Sequence, residues 1–251
     1  MFFWFKSKPI VVDCFTSHAG IHDYFPIVNS VKKLPDWWKE FPSKRTYTDE
    51  NGMEMTASTI KRCDGIVEYY KQGFMIPLWC DLKIKTSQTG DWAWRYSAGN
   101  VEELGGIESH PRGEYGSMFD DLIHMKLLSP WVIREKSGVQ FYWAQPFWNH
   151  IEQIKSGLHI VPAVIDYKHQ SSTHINFFLP KKESTLTLNA GIPLVHVTAL
   201  TDRKIDIRNH LVSNEDYKQL KKQNFMFSFM GKHKKVKKIM SDKKCPFGFG
   251  S

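Results

Sequence analysis

Between residues 130 and 200 the chain breaks into short runs, at 131–134, 139–144, 158–165, 174–179, 185–188 and 194–200. Each run is β-branched or aromatic and is bounded by Gly, Pro, Ser or Asn, so each is predicted to be a strand and the whole stretch reads as strand and turn. Upstream, Leu82 to Lys85 alternates apolar and charged residues, and 91–96 repeats the alternation with Trp92, Trp94 and Tyr96 on one side. This predicts a hairpin around 86–90. Helical spacing is clearest at 58–73, where Ile60, Cys63, Val67 and Tyr70 recur and Gly73 stands where a C-terminal cap belongs. A short helix is predicted between Pro35 and Pro42; its adjacent Trp37 and Trp38 cannot share one face, so one is expected inside and the other against a neighbouring surface. Ser213 to Asp216 forms a capping box that opens a polar surface helix to about residue 222.

These elements predict a mainly β protein, a jelly-roll-like β-sandwich or barrel with a few peripheral short helices. We divide it into an N-terminal wrapping segment (1–57), a β-domain with an edge helix (58–210), and a surface helix with a Lys-rich arm (211–251). Residues 99–116, with Gly105, Gly106, Gly113 and Gly116 among Glu102, Glu103, Glu108, His110, Arg112 and Glu114, read as a long solvated loop whose carboxylates are a conceivable cation site.

Charge changes this picture in one place. Of the net +8, six charges lie in 231–251, which holds seven Lys and one Asp, so the body is not a basic nucleic-acid groove. Lys232, Lys234, Lys235, Lys237 and Lys238 make a cluster suited to salt-sensitive attachment to nucleic acid or an acidic surface, or simply to solubility. The four cysteines have no zinc-ligand spacing, which fits a reducing compartment, and no apolar run approaches a membrane span or a secretory leader.

Candidate chemistry concentrates in the strands. Pro162 to Lys168, the alternating run 174–179, and Leu188 to Val197 resemble the last motifs of the deoxyuridine triphosphatase and dCTP deaminase superfamily, with Gly138 and Pro146 near that family's strand entry and phosphate loop. The likeness implies a β-barrel in which Asp166 orients water and sugar. It departs from the family where Phe147–Trp148–Asn149 replaces the phosphate-binding Arg-Ser-Gly and Pro193 replaces an Arg, which removes cationic and backbone donors that a triphosphate needs. Over most of residues 10–210 the chain is also similar to an uncharacterised conserved family of marine tailed phages and some bacteria. Leu34–Pro35–Asp36–Trp37–Trp38–Lys39, Gly73 to Asp81, Ser129 to Ile133, Val164–Ile165–Asp166 and Gly191 to Leu194 carry that similarity. It implies the host cytoplasm or the virion, and no activity.

Two further readings stay open. His159, Asp166, His174 and His196 fall on predicted strands; if they converged they would suit a divalent metal, as in a cupin or an Fe(II)/2-oxoglutarate oxygenase, although the local ligand spacing of those enzymes is missing. Phe141, Tyr142, Trp143, Phe147 and Trp148 alternate as core rings do, or else Trp143, Gln145, Trp148, Asn149 and His150 line a cleft for a sugar, base or peptide. The leading expectation is a non-enzymatic phage protein that binds a protein partner or assembles with itself through an aromatic face and the basic arm. The alternative is a small-molecule enzyme acting through Asp166 or the histidines.

Overall fold

The computed structural model describes residues 8–97, 104–114, 116–170 and 172–222, and is mainly β. The Lys-rich arm, with Lys232, Lys234, Lys235, Lys237 and Lys238, lies outside the described residues. No helix among the described residues is long and apolar enough to cross a membrane.

Alternation sets the first strand. β1 (Ile10–Thr16) buries Ile10, Val12, Cys14 and Thr16 and turns the intervening residues outward. The short α1 (Ala19–Tyr24) comes next and buries Ile21. β1 is the centre of a three-stranded sheet, parallel to β17 (Ile205–Leu211) and antiparallel to β10 (Val132–Arg134). β17 has no clear sequence signal: as an edge strand it buries little, and its partner lies at the far end of the chain.

The five-stranded sheet runs β13 (Ala163–Asp166), β11 (Gln140–Ala144), β16 (Pro193–Ala199), β5 (Phe74–Pro77) and β2 (Val28–Asn29). All four residues of β5 are buried because the sheet is covered on both sides. Phe74 and Ile76 enter the main core, while Met75 enters a smaller one built from Ile66 and Tyr70, with Leu34, Trp38, Ile60, Tyr69 and Trp148 packed around them. That smaller core is supplied by α2 (Asp36–Glu40) and α3 (Asp64–Lys71). Gly73 joins α3 to β5 with φ +67°, and a Cβ there would overlap the Val197 carbonyl, so only glycine fits.

A four-stranded sheet orders β12 (His159–Ile160), β14 (Ile175–Pro180), β9 (Leu122–Leu127) and β8 (Ile107–Ser109), and a three-stranded one orders β15 (Ser184–Leu188), β6 (Leu82–Thr86) and β7 (Trp92–Tyr96). The β6–β7 hairpin pairs Thr86 with Trp92 and turns its rings to one side, as the alternation predicts. These sheets and the two before them share the main core in a sandwich-like arrangement. The remaining two-stranded ribbon, β3 (Lys44–Thr48) and β4 (Glu54–Ser58), pairs only with itself and stands free of the core.

Four predicted elements need correction. The helix expected over 58–73 is a strand end, a 3-10 turn at Ile60–Arg62 and α3, and Cys63, expected on its buried face, is the exposed N-cap; the 3-10 turn shifts the phase, so Ile66 faces inward instead, beside Tyr70, which is buried as expected. The single strand expected over 158–165 is β12 and β13 in different sheets, split where Pro162 lacks an N–H for the ladder. The stretch after Pro130 is not all strand and turn, because Phe147–Asn149 forms a 3-10 turn that leads into α4 (Ile151–Lys155). Within 99–116 lies β8, whose Glu108 carboxylate meets Lys126 at 2.7 Å, so this carboxylate is engaged in an ion pair across the ladder. The helix at 214–222 begins as expected, with the Asp216 N–H donating to Ser213 Oγ at 3.1 Å.

Candidate functional site

The sequence candidates at 143–150 come together, but mostly to hold elements in place. Trp143 is buried and donates its indole N–H to the Tyr167 hydroxyl at 2.8 Å. Gln145 follows β11 and staples it to the next sheet: its amide donates to the Leu158 carbonyl at 3.0 Å and accepts from the Ile160 N–H at 3.2 Å. His150 is fully buried, and its Nε2–H donates to the Pro193 carbonyl at 2.5 Å while Nδ1 accepts from Gln145 at 3.3 Å. Burial pushes its pKa down to about 4, so the ring is neutral. Asn149 accepts from the Tyr70 hydroxyl at 2.7 Å and donates to the Lys33 carbonyl at 2.8 Å.

Trp148 differs from these four. Its carbonyl accepts the Trp37 indole N–H at 2.9 Å, and its ring is half-buried beside others that remain open. Phe147, 54% exposed, meets Trp148 edge-on at 5.3 Å. Trp148 lies 6.1 Å from Trp37, Trp37 lies 6.3 Å from Phe41, and the Arg45 guanidinium sits 5.8 Å over the Phe41 ring. These residues form a continuous stripe from the 3-10 turn, across α2, to the root of the β3–β4 ribbon. Residue type alone marks Trp148 and the Trp pair of α2, but nothing local in the chain joins them across more than a hundred residues.

The four proposed metal ligands divide into two pairs on different sheets. Asp166 and His196 share the outer face of the five-stranded sheet, but Asp166 is opposite Gln140 and His196 opposite Ala144, an offset of four residues or roughly 13 Å along the strands. Asp166 Oδ1 accepts the Lys168 N–H at 3.0 Å, so the carboxylate caps its own turn, with His169 3.9 Å away. The buried His196 ring packs edge-on against Tyr69 at 4.2 Å and donates to the Gln72 carbonyl at 2.8 Å. His159 is exposed on β12 opposite Phe178, and His174 precedes β14, four residues from Phe178. Among the described residues no group of three or more His, Cys, Asp or Glu is placed to hold a metal ion.

The outer face of the four-stranded sheet carries a second feature, which no sequence motif announces. His110 stacks on His124 at 4.0 Å, His124 on Phe178 at 4.6 Å, and Phe178 on Phe119 at 5.0 Å. The column flanks a half-open cleft of ≈ 350 Å³, solvent-open space included, which Lys181 and Asp120 also line. His110 Nδ1 is 2.7 Å from Glu114, and burial and the neighbouring His110 push the His124 pKa down to about 4. Only the register of β9 against β14 brings His124 opposite Phe178.

Compared with protein-family models, with curated proteins and with solved structures, the chain matches none of them.

Proposed function

We propose that this chain is a binding or assembly protein, and that the stripe of Phe147, Trp148, Trp37, Phe41 and Arg45 is its recognition surface. The continuity of these rings on the surface carries the reading, because a row of partly open aromatics ending in an arginine has the composition of an interface centre. The engagement of Asp166, Gln145, Asn149 and His150 within the fold supports it too, since these side chains already spend their hydrogen bonds on the protein. A setting in the infected cell or the virion, which the resemblance read from the sequence implies, is part of the same proposal.

The test is to immobilise the full chain, as wild type and as Phe147→Ser, and to compare the proteins each retains from the cells that produce it. Phe147 is exposed enough for the change to spare the fold. Loss of a specific partner from the variant is the expected result. A stoichiometric metal by elemental analysis, or a thermal shift of several degrees with one nucleotide or 2-oxoglutarate, together with unchanged retention, would replace this reading with an enzyme.

A second reading is favoured by the ring column. The cleft beside it is lined by both Lys181 and Asp120, so it suits a small polar ligand, and the same thermal-shift screen addresses it.

A further inference from the structure

The β3–β4 ribbon is unusual for what it leaves uncovered. All ten of its strand residues are exposed, yet its sequence alternates as a strand does when one face is to be buried. Register places Tyr47 opposite Met55 and Arg45 opposite Ala57, and the Asp49 N–H donates to the Met53 carbonyl at 2.9 Å, so Met53 continues the same face. Tyr47, Met53 and Met55 are 53%, 63% and 46% exposed. The opposite face is polar: Lys44, Thr46 and Thr48 against Ser58, Thr56 and Glu54. Two strands alone are marginal in water, so an uncovered apolar face here is a cost that a partner would relieve.

Charge says which partner. The root of the ribbon carries Lys44 and Arg45, and the tip carries Asp49, Glu50 and Glu54. Among the described residues none of the five forms an ion pair within the chain. Such a strip is complementary to itself turned end for end: two ribbons laid antiparallel, apolar face on apolar face, bring Arg45 of each, which shares that face with Tyr47, to Asp49 of the other, which stands opposite Met53, while Lys44 and Glu54 lie on the outer polar face. A twofold axis through the Tyr47–Met55 pair produces this arrangement.

We propose that the ribbon docks on the same ribbon of a second copy of this chain, making an isologous dimer. This deepens the assembly reading above and rests on it. The contact is small: five-residue strands some 17 Å long and two strands roughly 10 Å wide give only about 200 Å² of footprint, against about 800 Å² per partner in a standard interface. Dimerisation is therefore concentration-dependent and salt-sensitive.

The experiment is sedimentation velocity of the full chain from about 1 to about 200 µM, a range that brackets micromolar affinity. Wild type is expected to pass from monomer to dimer. Tyr47→Ser with Met55→Ser is expected to weaken the dimer by about tenfold or more, as loss of the central apolar pair should. Arg45→Glu and Asp49→Lys should each give monomers, whereas an equimolar mixture of the two should dimerise, because each reversed charge then meets its opposite; Asp49→Asn, which keeps the Oδ1 that accepts the Asn51 and Met53 N–H groups, should weaken the dimer without disturbing the turn. Circular dichroism of each variant checks that the body is folded. Wild type that stays monomeric throughout, a dimer indifferent to these substitutions, or a mixture that fails to pair overturns the proposal. If partner retention still depends on Phe147 in that event, the binding reading stands and only the second copy is lost.

Discussion

Asn149 offers the sharpest test of whether the residues at 145–150 serve the fold or a ligand. Its amide ties the 3-10 turn at Phe147–Asn149 to two distant segments, accepting from the Tyr70 hydroxyl at 2.7 Å and donating to the Lys33 carbonyl at 2.8 Å. Asn149→Ala removes both bonds, each worth about 1 kcal/mol net, and leaves the phenol of Tyr70 without its partner inside the smaller core, at a further cost of about 1 kcal/mol or more. Tyr70 is only 1% exposed, so water has little access to replace the amide. The expected destabilisation is about 3 kcal/mol, or a fall in Tm of roughly 6–12 °C for a chain of this size. Tyr70→Phe removes both the shared bond and the phenol that would be left unpaired, so Asn149→Ala should cost about 2 kcal/mol less in that background than in wild type. Urea unfolding followed by tryptophan fluorescence on the four members of the cycle measures this directly. Stability of Asn149→Ala within about 0.5 kcal/mol of wild type, or a strictly additive cycle, would refute the structural role and return Asn149 to the groups available to a ligand.

Three other outcomes are expected. His150 has its pKa pushed from 6.5 to about 4 by burial, so between those values the unfolded chain takes up a proton that the folded chain refuses; this part of the stability is intact above pH 6.5 and falls as pH drops, by up to ~1.4 kcal/mol per pH unit. His150→Gln should flatten that slope in urea midpoints measured between pH 7 and about pH 4, and an unchanged slope would contradict the assignment. Gly73→Ala forces a Cβ onto the Val197 carbonyl at a positive φ and should cost about 3 kcal/mol or more, visible as a large fall in Tm; a neutral effect would show that the α3–β5 junction is not so tightly held. Among the described cysteines, mass-spectrometric mapping of alkylation should find Cys63 modified in the native protein well before Cys14, whose thiol is fully buried with its pKa pushed up, or Cys80. Equal rates for Cys14 and Cys63 would mean that β1 opens readily.

Legibility in the sequence differs from element to element. The β6–β7 hairpin is legible, because its alternation and turn are local and its partner is adjacent. The phase of α3 is not: the 3-10 turn at Ile60–Arg62 rotates the helix after it, and three- and four-residue spacing read across that turn picks Cys63 in place of Ile66. β17 is hidden because an edge strand buries little and its parallel partner is β1. At the candidate sites, residue types announce chemistry that their surroundings redirect. Asp166 has the look of a catalytic carboxylate in the sequence, and in the fold it caps the turn to Lys168. Gln145 and Asn149 have the look of ligand-reading amides and are staples between elements.

By itself, then, the sequence determined the mainly β class, the β6–β7 hairpin and the presence of an unusual number of rings near residues 35–41 and 141–148, since all of these depend on the nearest neighbours along the chain, whereas the β3–β4 ribbon is not among the elements read from it. The tertiary structure alone decided that Trp37 meets Trp148, that His124 stacks on Phe178, and that the proposed metal ligands lie on two different sheets. The first depends on how α2 packs against the turn at Phe147–Asn149; the other two depend on strand register and sheet order, which are fixed by how the whole set of apolar faces is buried at once, and a shift of one residue in its own ladder would turn His124, Phe178 or Asp166 to the other side.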